Sequence, residues 1–177
     1  MASLLLTGAP GVGKTTVIRK AAESLSGYVL AGFVTDEIRT ARGREGFRLI
    51  TFDGREAVMA HIDLHTPHRV GRYGVDVGTV DRLVQSALSL ERKTDLYLVD
   101  EIGKMECLSE AFVAGMRSVL DSGKPVVASV AKRGEGLISE VKRRKDSVVW
   151  EVTHKNRNAL TDQVVGWIKS RLAPLPD

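Results

Sequence analysis

Gly8-Ala9-Pro10-Gly11-Val12-Gly13-Lys14-Thr15 carries the spacing G-x-x-x-x-G-K-[ST], and Thr16 adds a second hydroxyl. Each residue type has a use in holding a polyphosphate. Glycines allow a tight turn in which successive backbone N–H groups converge on one anion. A helix starting at the end of such a turn adds unbonded N–H donors and the positive end of its dipole. In this pattern the Lys14 ammonium reaches the β- and γ-phosphates, and the Thr15 hydroxyl is a ligand of Mg²⁺. The backbone N–H groups of residues 11–16 complete the cradle. The bland alternative is an ordinary Gly-rich turn. Local context argues against it: Leu4-Leu5-Leu6 suits a short buried strand, and Val17, Ile18, Ala21, Ala22 and Leu25 recur at helical spacing after the loop.

A second group of reactive side chains lies mid-chain. Leu96-Tyr97-Leu98-Val99 reads as a buried strand, and it ends in Asp100-Glu101. Downstream of a phosphate loop, this is the arrangement in which the first acid joins the Mg²⁺ shell. The expected metal ligands are therefore Thr15 and Asp100. Glu101 is placed to orient or deprotonate a water in line with the terminal phosphorus, so Glu101 and Lys14 are the candidate catalytic pair. A strand ending in two solvated acids is the alternative. An acid directly after the metal-binding acid is also the pattern of the RecA-like ATPase branch with an added catalytic glutamate. In that branch one strand separates the loop strand from the acid-bearing strand, and Val126–Val130 is expected to fill that place.

The elements that must position these residues follow from periodicity and turn signals. Tyr28 to Thr35 reads as a strand, with Asp36-Glu37-Ile38-Arg39 after it and a polar segment from Thr40 to Glu45 that carries three charges and Gly43. Gly46 to Phe52 and Glu56 to Ile62 read as strands joined by a turn at Asp53-Gly54. This β insertion, about residues 36–62, either extends the sheet or covers a nucleotide. Pro67 and Gly71 mark His61 to Tyr73 as loop. Apolar spacing predicts helices around 80–88, 112–120, 137–141 and 160–172, and a strand over 148–152. Strands alternating with helices predict one α/β domain over 1–177, with a mainly parallel central sheet covered on both faces. Ligands of such sheets lie at the carboxyl ends of the strands, where the phosphate loop leaves the first one.

The segments TGAPGVGKTT (7–16), GFVTDEIR (32–39), RVGRYGVD (69–76), DEIGKME (100–106) and NRNAL (156–160) occur in this order. Together they resemble the small P-loop nucleoside-triphosphatase family first described from thermophiles, whose vertebrate relative is called cancer-related nucleoside triphosphatase. The phosphate loop is shared by many families; DEIGKME with RVGRYGVD is specific, and the resemblance covers nearly the whole chain. It implies slow, Mg²⁺-dependent hydrolysis of ATP, GTP, CTP and UTP with little base selectivity. It also implies that residues 8–15 and the stretch around Asp100, Glu101, Ile102, Gly103, Lys104 and Met105 contact the nucleotide. Ala131-Lys132-Arg133-Gly134 is hard to match to the family pattern, and no charge-stabilising residue is assigned there.

Phosphoryl transfer needs positive charge at the terminal phosphate. Arg69, Arg72, Lys104, Lys132, Arg133 and Arg157 are the candidates, each weighed against an ordinary solvated role. Lys142-Arg143-Arg144-Lys145 reads as a solvated helix end, where cations suit the dipole. Asn156 reads as the cap of the last helix, with the segment around it also a candidate neighbour of the nucleobase. His61, Asp63, His65 and His68 have a spacing open to a metal, with no cysteine to join them.

Bulk composition narrows the class. The 177 residues are 43% hydrophobic and 27% charged, which describes a globular chain able to bury a core. A net charge of +4 suits a polyanionic ligand, and with aromatics at only 5% there is little support for a nucleic-acid platform. Cys107 is the one cysteine, so no internal disulfide forms and a cytoplasmic setting is expected. No charged segment precedes the early apolar residues, which reads against a signal peptide, and no apolar run is long enough to span a membrane. The nucleoside triphosphate is the expected partner, and no protein partner is indicated. Two rival functions share the same loop: a nucleotide or small-molecule kinase, with the insertion as its lid, and a nucleotide-gated switch acting on protein or RNA.

Overall fold

The computed structural model describes residues 3–174. Its nine strands form one sheet in the order β5-β6-β4-β3-β2-β7-β8-β1-β9. In chain order these are β1 (Ser3–Thr7), β2 (Leu30–Thr40), β3 (Gly43–Thr51), β4 (Glu56–His61), β5 (Arg69–Val70), β6 (Tyr73–Val75), β7 (Leu96–Ile102), β8 (Val126–Val130) and β9 (Ser147–Glu151). The helices are α1 (Lys14–Glu23), α2 (Val77–Ala87), α3 (Glu110–Asp121), α4 (Leu137–Arg143) and α5 (Arg157–Lys169). The strands β9, β1, β8, β7 and β2 run parallel, and the remaining four extend them in antiparallel fashion. β8 lies between β1 and β7, as the two-acid pattern predicts.

Alternation along the central strands divides the core in two. Leu4 and Leu6 of β1, with Leu96 and Leu98 of β7, pack under Val17 and Ile18 of α1 and Leu160, Val164 and Ile168 of α5. Leu5, Tyr97 and Val99 point the other way, onto Val80 and Val84 of α2, Phe112 and Met116 of α3, and Leu137 and Val141 of α4. Helices therefore cover both faces, and strands with no polar face are the expected consequence.

The insertion extends the sheet. β2 runs on past Thr35 to Thr40, and β3 begins at Gly43 and not at Gly46, so the polar segment from Thr40 to Glu45 is mostly strand. Pairing across the ribbon explains why so polar a stretch is extended. Glu37 accepts from Arg44 Nη1 at 2.7 Å and from Arg39 Nε at 2.7 Å, so the charges compensate one another outside the core. The loop expected from His61 to Tyr73 holds one short hairpin, β5–β6, tied on by Arg44, whose Nε donates to the Tyr73 hydroxyl at 3.1 Å. His61 Nδ1 accepts the Asp63 N–H at 3.2 Å, and no group of three or more His, Cys, Asp or Glu able to hold a metal occurs among the described residues.

The predicted turn at Asp53-Gly54 joins β3 to β4. Asp53 accepts from Arg55 Nη2 at 2.9 Å and from Arg92 Nη1 at 2.7 Å, linking the turn to the loop before β7. The Arg55 guanidinium holds its carboxyl well below the usual carboxylate range; burial opposes this, and Thr51 and Arg92 assist. A carboxyl whose pKa is lowered on folding stabilises above its unfolded pKa and loses that stabilisation as pH falls toward the folded value. Asp53→Asn is therefore expected to cost about 1 kcal/mol in urea denaturation at pH 7, with the difference from the parent chain shrinking below about pH 4. A pH-independent difference would contradict this account.

Candidate active site

The phosphate loop connects β1 to α1 along residues 8–13. Gly8 has φ 153° and Gly13 φ 112°, values that L side chains rarely adopt, and a Cβ on Gly8 would lie 2.5 Å from the Val152 carbonyl oxygen. α1 starts at Lys14 with no side-chain cap, and its first internal bond runs from the Val17 N–H to the Gly13 oxygen at 3.0 Å. The amides of Lys14, Thr15 and Thr16 thus have no partner within the helix. Ala9, Pro10 and Gly11 are exposed, while Val12 turns into the core.

Lys14 Nζ donates to the carbonyl oxygens of Gly8 at 3.3 Å and Ala9 at 3.4 Å, and it lies 3.5 Å from Glu101 Oε2. The Thr15 hydroxyl donates to Asp100 Oδ2 at 2.6 Å. Residues 85 positions apart in sequence are thereby joined at the carboxyl edge of the sheet. Asp100 is 3% exposed; its other carboxylate oxygen accepts from the Ser129 hydroxyl of β8, and its main-chain oxygen accepts from Thr35 at 2.5 Å. Burial raises the Asp100 pKa, and Ser129, Thr15 and Lys14 oppose that rise. Glu101 is also raised by burial; Lys14 works against this and Asp100 adds to it. The β7–β8 register shifts between Val99 and Ile102, the stretch that holds both acids.

The remaining predicted nucleotide contacts divide. Ile102 is buried in the core. Gly103 is enclosed, and a Cβ there would lie 2.7 Å from Glu106 Oε2 and 3.1 Å from Glu101 Oε1. Lys104 is exposed. Glu106, which the residue types alone did not single out, is a further buried acid beside the buried Asp100 and the half-buried Glu101. Burial pushes it up to about 8; nearby backbone N–H groups oppose this, and the charges of Glu101 and Asp100 add to it.

The expected cations mostly point elsewhere. Arg69 donates to the Arg72 carbonyl at 2.8 Å, Arg72 donates to the Arg44 carbonyl, and Lys132 pairs with Glu151 at 3.2 Å. Arg157 Nη1 reaches the Val12 carbonyl at 3.5 Å, so it stands beside the loop. An open cleft of about 290 Å³ lies there, lined by Gly13, Thr16, Lys20, Arg157, Asn158 and Thr161 among others. Asn156 takes the cap position of α5, with its carbonyl accepting the Leu160 N–H at 2.8 Å, but its side chain makes no cap bond. Its Oδ1 accepts the Thr153 N–H at 2.8 Å and its Nδ2 donates to the Glu151 oxygen at 2.8 Å, so the side chain braces the β9–α5 turn instead of bonding the helix amides.

Comparison with known proteins matches the geometry. The NTPase family model matches residues 3–165. The chain belongs to this nucleoside-triphosphatase family. It is 41% identical over 169 residues to nucleoside-triphosphatase THEP1 of Thermotoga maritima, covering 94% of this chain and 95% of the relative. It is 37% identical over 168 residues to THEP1 of Methanosarcina barkeri, covering 93% and 95%. Among solved structures, THEP1 of Aquifex aeolicus aligns with a TM-score of 0.78 at 32% identity, over 94% of this chain and 99% of that one. A human cancer-related nucleoside triphosphatase aligns with a TM-score of 0.82 at 32% identity, over 98% and 100%. The family resemblance seen in the five segments and the P-loop α/β fold are thus shown. No helix among the described residues is long and apolar enough to cross a membrane.

The donor set suits Mg²⁺. A hydroxyl and a carboxylate are hard oxygen donors, and here they already meet at 2.6 Å below the mouth of the loop. The Ser129 hydroxyl holds the second carboxylate oxygen, so the carboxylate is oriented independently of the Thr15 bond. Ser129→Ala is expected to lower stability by about 1–3 kcal/mol in chemical denaturation, because it strips a donor from a buried carboxylate. A loss under about 0.5 kcal/mol would show that the bond does not hold Asp100.

Proposed function

We propose that this chain hydrolyses nucleoside 5′-triphosphates, ATP, GTP, CTP and UTP alike, to the diphosphate and phosphate, slowly and with Mg²⁺. The observation that carries the reading is the 3.5 Å opposition of Lys14 and Glu101 at the mouth of a loop whose amides are open. Loop amides 11–16 grip the phosphates, and Lys14 leaves the Gly8 and Ala9 carbonyls to bind the β- and γ-oxygens. Thr15 and Asp100 hold the metal, which when bound neutralises charge on the β- and γ-oxygens. Glu101 takes the proton of a water as its oxygen bonds the terminal phosphorus and the bridging oxygen leaves.

Low base selectivity is supported by the cleft beside Arg157. It offers a guanidinium and short polar side chains, with no aromatic ring among its lining residues. A planar guanidinium stacks on any base. Slow turnover is supported by the placement of three candidate cations, since Arg69, Arg72 and Lys132 are each bonded to residues outside the loop and the two acids. Pairing of the insertion into the sheet favours water as acceptor over a kinase, which needs a closing lid.

Glu101→Gln is expected to bind nucleotide normally while phosphate release falls about 100-fold or more. Near-normal release would remove Glu101 from its role. Lys14→Ala should weaken binding and turnover together, and an unchanged nucleotide affinity would count against the loop assignment. A phosphate-release panel over the four nucleotides, with no added acceptor, should show comparable rates with Mg²⁺ and none with chelator. Release only when a nucleoside or other acceptor is added would favour a kinase.

A further inference from the structure

Lys142 opens the basic run that periodicity assigns to a solvated helix end, yet the structure turns it inward. Its Nζ donates to the carbonyl oxygens of Ala131 at 2.5 Å and Lys132 at 3.0 Å. These are the first residues after β8, and the Ala131 N–H in turn donates to the Ile102 oxygen at 3.1 Å. β8 lies between β1 and β7, and the three run parallel. The turn leaving β8 therefore opens between the phosphate loop, which leaves β1, and Glu101, near the end of β7. An ammonium hung on that turn lies at the same carboxyl edge of the sheet as the phosphate loop and Glu101.

An ammonium has three N–H donors. Two are taken by main-chain carbonyls, which fix its position, and one remains. Besides Lys14, the charge of Lys142 acts on Glu101, and burial lowers the Lys142 pKa against the pull of that carboxylate. The rest of the run behaves as a helix end should. Arg144 pairs with Asp121 at 2.8 Å and Asp146 at 2.9 Å, while Arg143 and Lys145 are exposed. A mere clip for α4 needs no charge: Leu137, Ile138 and Val141 already bury that helix. Burying part of a cation costs free energy that an anion facing it offsets.

We propose that Lys142 is a second catalytic cation, acting within the same chain, whose remaining N–H contacts the terminal phosphate as that group passes to water. This rests on the triphosphatase reading. The bond from the terminal phosphorus to the bridging oxygen breaks, the bond to the water oxygen forms, and the water's proton goes to Glu101. Negative charge then spreads over the equatorial and leaving oxygens, and a fixed ammonium beside them stabilises that distribution more than the ground state.

The test compares Lys142→Ala and Lys142→Arg with the parent chain and with Lys145→Ala, a solvent-facing control. Three quantities are read: kcat, the dissociation constant of a fluorescent ADP, and the tightening of that ADP by Mg²⁺ with aluminium fluoride. Lys142→Ala is expected to lower kcat about 100-fold, leave ADP affinity within about threefold, and lose the fluoride-dependent tightening. Lys142→Arg should recover part of the tightening, and Lys145→Ala should match the parent. If Lys142→Ala does not fold, Lys142→Gln, which keeps two donors for the carbonyls and no charge, carries the same expectation. Undiminished tightening with kcat within about threefold would overturn the proposal. So would a parallel fall of kcat, ADP affinity and melting temperature, which describes a structural clip. If the parent chain itself neither binds ADP nor releases phosphate, the triphosphatase reading falls first and this proposal falls with it.

Discussion

The site depends on one buried carboxylate. Asp100 is nearly inaccessible, and Thr15 and Ser129 donate to its two oxygens. Those three residues belong to α1, β7 and β8, so a single side chain ties the loop helix to two central strands. A carboxylate in such surroundings is costly unless each oxygen is satisfied. The Thr15 and Ser129 hydroxyls supply that satisfaction. Thr35 adds a bond to the Asp100 main-chain oxygen, so β2 joins the same knot. A break in any of these bonds loosens the position of both the metal ligands and the candidate base.

The fold explains why the chemistry collects at one edge. Parallel strands carry every loop that follows them to the same side. The phosphate loop follows β1, the acids end β7, and the Ala131 turn follows β8. With β8 in the middle, groups from the outer two strands oppose each other across a gap one strand wide. The antiparallel extension leaves this edge unaltered while it lengthens the sheet beyond β2. The α1–α5 side places Arg157 beside the loop, which connects the phosphate grip to the cleft proposed for the base.

Much of this was legible in the chain because the signals are local. The loop motif, its flanking strand and helix, the apolar strand ending in two acids, and the Asp53-Gly54 turn each lie within a few residues. The position of β8 followed from the side-by-side acids. What stayed hidden depends on distant partners. That β2 runs on through Asp36 to Arg39 depends on Arg44 and Arg19, which supply the counter-charges. β5 and β6 are too short for any periodicity and are held by neighbours such as Arg44. Lys142 looks like the rest of its basic run, and only the course of α4 over β8 turns it toward the site. Asn156 has the composition of a cap, but a nearer pair of backbone groups claims its amide.

The most direct test of the account is a crystal structure of the protein with Mg²⁺ and a non-hydrolysable ATP analogue. The account predicts β-phosphate oxygens among amides 11–16, the metal at Thr15 and Asp100, and the terminal phosphate standing between Lys14 and Glu101 where they now pair at 3.5 Å. A nucleotide bound elsewhere, or bound in the loop with that ion pair intact and Glu101 turned away from the terminal phosphate, would contradict it.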